Sequence, residues 1–303
     1  MTAKIVVVGS FNADLTSYLD RMPRPGETVS GDKFVTGPGG KGSNQAVAAA
    51  RLGADLTFIG RVGNDVFANL AQELWTAEGI NTDYVNKDPD HATGVAPIFV
   101  DSNGENMIVV VLGANNHIQQ SDIDAAKDAI ADADVLIVQL EINHDMVGYA
   151  LKTAKSLGIM TILNPAPAAE IPTEFVQLAD YITPNETELE MLSRGHSDNV
   201  IANAQSLLTT KEQTVIVTMG SQGAQIVQKD HQELIGTFKV DVVDTTGAGD
   251  AFNGGLAVAL AEGKSLQEAV KFASATAALC VTRLGTSPSM PQRDEVDKLY
   301  QSG

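Results

Sequence analysis

Lys4-Ile5-Val6-Val7-Val8, closed by Gly9, is a short apolar run with no polar alternation. A strand with one wet face alternates apolar and polar residues. A continuous run is the mark of a strand covered on both faces, as in a parallel sheet. The signal recurs at Val135-Leu136-Ile137-Val138, Met160-Thr161-Ile162-Leu163 and Thr214-Val215-Ile216-Val217-Thr218. Helical patterns fall around these runs, at Ser43 to Leu52, Asp65 to Glu78, Ile123 to Ala131, Asp145 to Leu157, Val200 to Leu208, Ala251 to Ala261 and Ser265 to Thr282. Strands alternating with helices build βαβ units, so the sequence predicts an α/β fold with a doubly wound, mostly parallel sheet flanked by helices.

Two stretches break the alternation. Leu15 to Thr36 has no helical period and carries Pro23, Pro25, Gly26 and Gly31. Gly94 to Val100 and Met107 to Val111 are β-rich and flank Asp101-Ser102-Asn103-Gly104-Glu105-Asn106, where Asn-Gly signals a hairpin. We expect one domain, residues 1–303, with a small antiparallel β-flap built from two excursions, about 14–37 and 92–112. A flap able to close would exclude water from a site beneath it.

The composition is that of an ordinary globular chain: 303 residues, 44 % apolar, with a formal net charge of −18. So negative a surface argues against recognising nucleic acid or anionic membranes through basic patches. No run reaches the roughly 18 apolar residues of a bilayer span. The amino-terminal apolar run is too short for a signal peptide, so a cytoplasmic location is expected. Cys280 is the single cysteine, which excludes an intrachain disulfide, and its apolar helical surroundings read as core packing. His91, His117, His144, His196 and His231 sit singly, without metal-ligand spacing, and read as surface residues.

The chemistry lies in two glycine clusters. Asp244-Thr245-Thr246-Gly247-Ala248-Gly249-Asp250 runs into Ala251-Phe252-Asn253-Gly254-Gly255 and opens a helix. Unpaired N–H groups and a partial positive charge at a helix start attract anions, phosphate above all. Asp250 beside them could take a proton from a hydroxyl. Glycine-rich turns capped by Asp also occur with purely structural roles. The Rossmann fingerprint is absent, because Phe252 stands where its third glycine belongs.

The second cluster, Gly37-Pro38-Gly39-Gly40-Lys41-Gly42-Ser43-Asn44, opens an alanine-rich helix. Bare backbone there permits close approach of a ligand, and Lys41 and Asn44 share a helix face. Val35 excludes a Walker A loop. Asn12, Asp14 and Glu141 follow the carboxyl ends of buried strands, the rim where open α/β sheets bind ligands.

These pieces resemble the ribokinase (phosphofructokinase-B type) family of carbohydrate and nucleoside kinases. Gly39 to Asn44 and Asp244 to Gly254 match its two signatures. Asn164-Pro165-Ala166-Pro167-Ala168, Thr183-Pro184-Asn185-Glu186-Thr187-Glu188 and Gly220-Ser221-Gln222-Gly223 extend the likeness along the chain. The resemblance implies Asp250 as catalytic base, and Gly247, Ala248 and Gly249 as an anion hole for the transferring phosphoryl group. It implies a sugar site of Asn12, Asp14, Gly39, Gly40, Lys41, Asn44, Glu141 and Asp250. For ATP it implies Asn185, Thr218, Gly220, Ser221, Gly223, Gly249 and Ser274, the last where several family members carry histidine. Asp244, Thr246, Cys280, Arg283, Gly285 and Ser289 match positions that bind an activating potassium ion, mostly through carbonyls. Asn185 and Glu188 resemble a segment that organises Mg2+ through water.

The implied reaction is transfer of the γ-phosphoryl group of ATP to the 5-hydroxyl of ribose, in a homodimer joined through the flap strands. Another sugar or a nucleoside as acceptor is the first alternative. The second is a non-catalytic sugar-sensing protein, against which Asp250, Gly247 and Gly249 all stand.

Overall fold

The amino-terminal apolar run forms β1 (Lys4–Val8), with Ile5 and Val7 in one hydrophobic layer and Val6 and Val8 in another. The strand is thus covered on both faces, as its composition requires. The structure, a computed structural model, describes residues 2–195 and 197–302. His196, expected at the surface, lies outside the described residues.

After β1 come β2 (Asn12–Leu19), β3 (Gly31–Gly39), α1 (Lys41–Arg51), β4 (Asp55–Val62), α2 (Val66–Ala77) and β5 (Asn81–Lys87). The middle of the chain forms β6 (Gly94–Val100), β7 (Asn106–Ile108), α3 (Gln120–Ala125), α4 (Lys127–Ala131), β8 (Val135–Val138), α5 (His144–Ser156), β9 (Met160–Leu163) and α6 (Thr173–Leu178). There follow β10 (Tyr181–Ile182), α7 (Glu186–Leu192), α8 (Val200–Leu207), β11 (Thr214–Thr218), β12 (Ala224–Val227) and β13 (Gln232–Ile235). The last elements are α9 (Ala248–Ala261), α10 (Leu266–Cys280) and α11 (Arg293–Ser302).

The main sheet has nine strands in the order β13-β12-β11-β10-β9-β8-β1-β4-β5. It is parallel from β11 to β5, while β12 and β13 add antiparallel pairs at one edge. From β1 the chain builds outward to β4 and β5, then crosses back to lay β8 against the other side of β1. The doubly wound sheet is therefore as expected, and its winding reverses beside β1. In such sheets this reversal opens a crevice at the carboxyl ends of the strands.

One core layer packs α1, α2, α9 and α10 on the sheet; the other packs α3 to α8. Helix α9 is buried from Asp250 to Leu260, squeezed between α1 and α10. Two glycines allow this. A Cβ on Gly254 would lie 2.6 Å from the Ala48 Cβ and 2.9 Å from the Gln45 carbonyl oxygen; one on Gly255 would lie 2.7 Å from the Thr276 hydroxyl. Trp75 pins α2 to this layer, stacking near Phe58 and donating from Nε1 to the Ser43 hydroxyl at 3.0 Å.

The two interruptions form a separate four-stranded sheet, β3-β2-β6-β7. Each excursion is an antiparallel hairpin, the second turning through Gly104 at φ 81°. The hairpins are joined by a parallel pairing of β2 with β6, so the flap sheet is mixed rather than wholly antiparallel. Phe34, Val35, Met107, Ile108 and Val109 stand exposed on it. Among the described residues, no helix is long and apolar enough to cross a membrane. His91 and His117 are not solitary: their rings stack with centroids 3.4 Å apart, and His91 Nδ1 lies 2.9 Å from an Asp88 carboxylate oxygen.

Candidate active site

The carboxyl ends of β1 and β8 lead into Gly9 to Asp14 and Gln139 to Glu141, at the reversal point of the sheet. Glu141 is buried there, and its Oε2 accepts from the Ser10 hydroxyl at 2.6 Å, the Lys41 backbone N–H at 2.9 Å and Asn12 Nδ2 at 3.1 Å. All three bonds fall on one oxygen, and among the described residues Oε1 accepts no hydrogen bond from the protein. The Asn12 amide is held at its other end by Asn115 Nδ2, 3.0 Å from Asn12 Oδ1. Asn115 sits after the flap, and nothing local marks it.

Close contact in this region explains the first glycine cluster. A Cβ on Gly39 would lie within 2.5 Å of the Asp14 carboxylate carbon and oxygens; one on Gly40, at φ 88°, would lie 2.6 Å from the Asn12 backbone nitrogen. A Cβ on Gly42 would meet the Ser10 nitrogen at 2.5 Å. The bare backbone admits the chain's own β1–β2 connection. This close approach brings Asn12 and the Lys41 backbone together on Glu141.

Gly247, in the left-handed region at φ 81°, caps α9, and Asp250 lies in the first turn. Asn44 Nδ2 donates to Asp250 Oδ2 at 2.9 Å and Gln45 Nε2 donates to Asp250 Oδ1 at 2.9 Å. Gln45 also donates to Asn164 Oδ1 at 3.0 Å and accepts from Gln139 Nε2 at 2.7 Å. Burial pushes the Asp250 carboxyl above its ordinary range, opposed by the Lys41 charge and the two amide donors and assisted by Glu141. For Lys41, burial works against the charged form, but Asp250, Glu141 and Glu188 outweigh it and hold the ammonium above its usual value. Burial likewise raises Asp14, to about 7, against a bond from Thr286 and with a contribution from Glu141 and Asp250. Lys41 is thus no solvated surface charge; it lies among carboxylates.

On the other side of the α9 start lies a cavity of about 530 Å³, large enough for a nucleotide-sized ligand. Of the residues expected to meet ATP, it gathers Thr218, Gly220, Ser221, Gly223, Gly249 and Ser274, together with Ala248 of the anion hole. Phe252 of the second signature, with Phe238, Val240, Val242, Ala277 and Val281, which no sequence motif announced, supplies an apolar wall. A Cβ on Gly249 would meet nothing within 4 Å, so this glycine faces open space at the helix start. These features fit ATP.

Asn185 and Glu188 have a local role that the sequence reading did not give them. Asn185 caps α7: its Oδ1 accepts from the Glu188 N–H at 2.8 Å, and Glu188 Oε2 accepts from the Asn185 N–H at 2.8 Å. Their spacing is that of a capping box. Glu188 is buried, which raises its carboxyl above the ordinary range, and it faces the charges of Lys41 and Asp250. Among the described residues no three His, Cys, Asp or Glu side chains gather to hold a metal. Mg2+ fits here only as an ion carried chiefly by phosphate oxygens and water.

The potassium positions do come together. Asp244 Oδ1 accepts from the Thr246 N–H at 2.9 Å and its hydroxyl at 2.6 Å, and Oδ2 accepts from the Gly285 N–H at 3.0 Å. Burial would raise this carboxyl, but those bonds hold it below its ordinary range. Cys280 Sγ lies 3.0 Å from the Ser289 hydroxyl, and burial pushes the thiol up to about 11, so it is a packed thiol, as expected. Arg283 is ion-paired with Glu295, leaving its carbonyl as its possible ligand. One ionised carboxylate, with backbone carbonyls as co-ligands, would fit a weakly held monovalent cation.

The pfkB family carbohydrate kinase model matches residues 2–293. The chain belongs to the pfkB family of carbohydrate kinases. It is 40 % identical over 298 residues to a ribokinase of Haemophilus influenzae, covering 97 % of each chain. It is 39 % identical over 298 residues to a deoxyribokinase of Salmonella typhimurium, again covering 97 % of each. The solved structure of Arabidopsis thaliana ribokinase complexed with ribose and ATP superposes with a TM-score of 0.90 at 34 % identity, covering 99 % of both chains. This kinase family has the fold and the carbohydrate chemistry that its signatures implied.

Proposed function

We propose that the chain is an ATP-dependent ribose kinase, forming ribose 5-phosphate and ADP. One observation carries the reading: Asp250 stands between a buried polar cluster and the nucleotide-sized cavity, held towards the first by Asn44 while its helix start lines the second. Two substrates entering from opposite sides would meet at that carboxylate.

Asp14, Asn12, Asn44, Lys41 and Glu141 hold the sugar hydroxyls, and Asp250 accepts the proton of the 5-hydroxyl as its oxygen attacks the γ-phosphorus of ATP. The bond to the bridging β–γ oxygen breaks, and ADP leaves. The backbone N–H groups of residues 247–249 and the α9 dipole stabilise charge on the equatorial oxygens. Glu188 would hold Mg2+ through water, and the ion would supply neutralisation of the phosphate charge. Asp244 and the carbonyls around Cys280, Arg283, Gly285 and Ser289 would hold K+, which would supply a fixed positive charge behind the turn that carries the anion hole.

The flap covers the sugar and keeps water from the phosphoryl group. The exposed apolar side chains on its strands, Phe34, Val35, Met107 and Ile108, favour a homodimer formed flap to flap. The single cysteine suits a reducing, cytoplasmic compartment.

The identity to a deoxyribokinase, one percentage point below that to a ribokinase, favours a second reading with 2-deoxyribose as acceptor. A coupled assay of ADP release over ribose, 2-deoxyribose, fructose and nucleosides, with and without potassium, separates these. Ribose should give the highest kcat/KM, with potassium raising it. Preference for 2-deoxyribose or a nucleoside would reassign the acceptor, and no turnover with any would remove the kinase reading.

A further inference from the structure

The segment Gly285-Thr286-Ser287-Pro288-Ser289-Met290 faces two ways. Gly285 and Ser289 turn towards Asp244 and Cys280, whereas Thr286 and Ser287 reach in the other direction. The Thr286 hydroxyl lies 3.1 Å from Asp14 Oδ2 and 3.0 Å from the Pro38 carbonyl, so its single proton is shared between the two strands that frame the sugar rim. Ser287, fully buried, donates from Oγ to Asn44 Oδ1 at 2.6 Å.

The second bond decides how Asn44 is oriented. An amide presents an acceptor at one end and donors at the other. With Ser287 donating to Oδ1, the Nδ2 end must point at Asp250, where it gives the 2.9 Å bond to Oδ2. Without that anchor the amide loses one of its two fixed partners and can turn out of line with the Asp250 carboxylate. The loop is itself fixed from behind, because Arg51 Nη1 donates to the Met290 carbonyl at 2.6 Å and the Pro288 carbonyl at 3.3 Å while its guanidinium pairs with Glu78.

We infer that Thr286 and Ser287 are positioning residues, Thr286 for the sugar-holding carboxylate of Asp14 and Ser287 for the Asn44 amide that aims the base. The inference rests on the sugar-kinase reading above. It goes further in making this loop a determinant of sugar affinity and of turnover, separately and through different atoms. The two single variants should therefore fail differently.

The experiment compares wild type, Thr286→Ala, Ser287→Ala and the conservative Thr286→Ser and Ser287→Thr in steady-state assays over the same sugar panel, with melting temperature measured on each. Thr286→Ala should raise the sugar KM about tenfold, as expected for a lost bond to a charged group, with kcat and the ATP KM little changed. Ser287→Ala should lower kcat about tenfold instead. Thr286→Ser should restore the sugar KM, because the hydroxyl returns. Wild-type sugar KM and kcat in both alanine variants would overturn the positioning roles while leaving the kinase reading intact. So would equal rises in sugar and ATP KM with a lowered melting temperature, which is the behaviour of a merely structural loop. A wild type that turns over no sugar would overturn both readings together.

Discussion

Gln45 Nε2 lies 2.9 Å from Asp250 Oδ1, and its neighbour Asn44 places Nδ2 at the same distance from Oδ2. Two consecutive amides of α1 thus grip both oxygens of the carboxylate that opens α9. Each stabilises the charged form, which burial alone would disfavour. Replacing Gln45 with Leu removes one donor to the anion and strands the Gln139 amide. We expect kcat to fall about 10–100-fold, the size of a lost hydrogen bond to a charged group. The proton affinity of Asp250 rises when a donor is lost, so the acid limb of kcat against pH should move to higher pH. A Gln45→Leu enzyme with unchanged kcat and an unchanged pH profile would show that Asn44 alone suffices.

Gly249 separates function from folding. Its missing side chain touches nothing, and it lies in the first turn of a helix, where alanine is favoured over glycine. Gly249→Ala should leave the melting temperature unchanged or raise it, while placing a methyl group where the phosphate belongs. Turnover should drop at least about tenfold through the lost anion site. Calorimetric melting and kcat, measured on one preparation, check this. Full turnover would mean that the phosphoryl group sits elsewhere.

Gly254 makes the opposite prediction. A methyl group there would overlap Ala48 and the Gln45 carbonyl, forcing α1 and α9 apart. Gly254→Ala should destabilise the chain by about 1–3 kcal/mol, the usual range for an overpacked core. Because Gln45 and Asn44 move with α1, kcat should fall as well. Denaturant unfolding measures the first effect and the steady-state assay the second.

Asp14 sets the pH dependence of sugar binding. Its carboxyl is raised to about 7 by burial, in spite of the Thr286 bond, with Glu141 and Asp250 adding to the rise. Below that pH the folded protein holds a proton on Asp14 that the unfolded chain releases until roughly pH 4. This proton stabilises the sugar-free protein. Its contribution is full below the unfolded value and is lost as pH rises through about 7. Sugar binding runs the other way, since the ionised carboxylate is the better acceptor. The sugar KM should rise as pH falls below about 7, and Asp14→Asn should weaken binding and flatten that dependence. A sugar KM independent of pH between 5.5 and 8 (a span of about two to three units around that value) would contradict the assignment.

Much of this was legible in the chain, for identifiable reasons. β1, β8, β9 and β11 are short apolar runs because both faces are covered, and that pattern has no exposed alternative. β4 and β5 carry Asp55, Thr57, Arg61, Asn81, Asp83 and Asn86, partly because they run out to the sheet edge, and their polar residues hid them. The long helical pattern from Ile123 to Ala131 proved to be two short helices that meet at Ala126. At the site, the glycine clusters and Asp250 announced themselves through backbone chemistry. Gln45, Asn115, Gln139, Thr286 and Ser287 did not, because each acts on another side chain brought close only by folding. The Asn185–Glu188 spacing carried a local meaning, a capping box, which its resemblance to a magnesium segment had obscured.

The central claim is that Asp250 removes the proton from the sugar hydroxyl, and its direct test is the turnover number of Asp250→Asn with ribose and ATP, alongside ribose affinity by calorimetry. The substitution preserves shape but leaves no carboxylate to accept a proton. The account predicts a fall in kcat of at least about 100-fold with ribose affinity near that of the wild type. Near-wild-type turnover in that variant would contradict it.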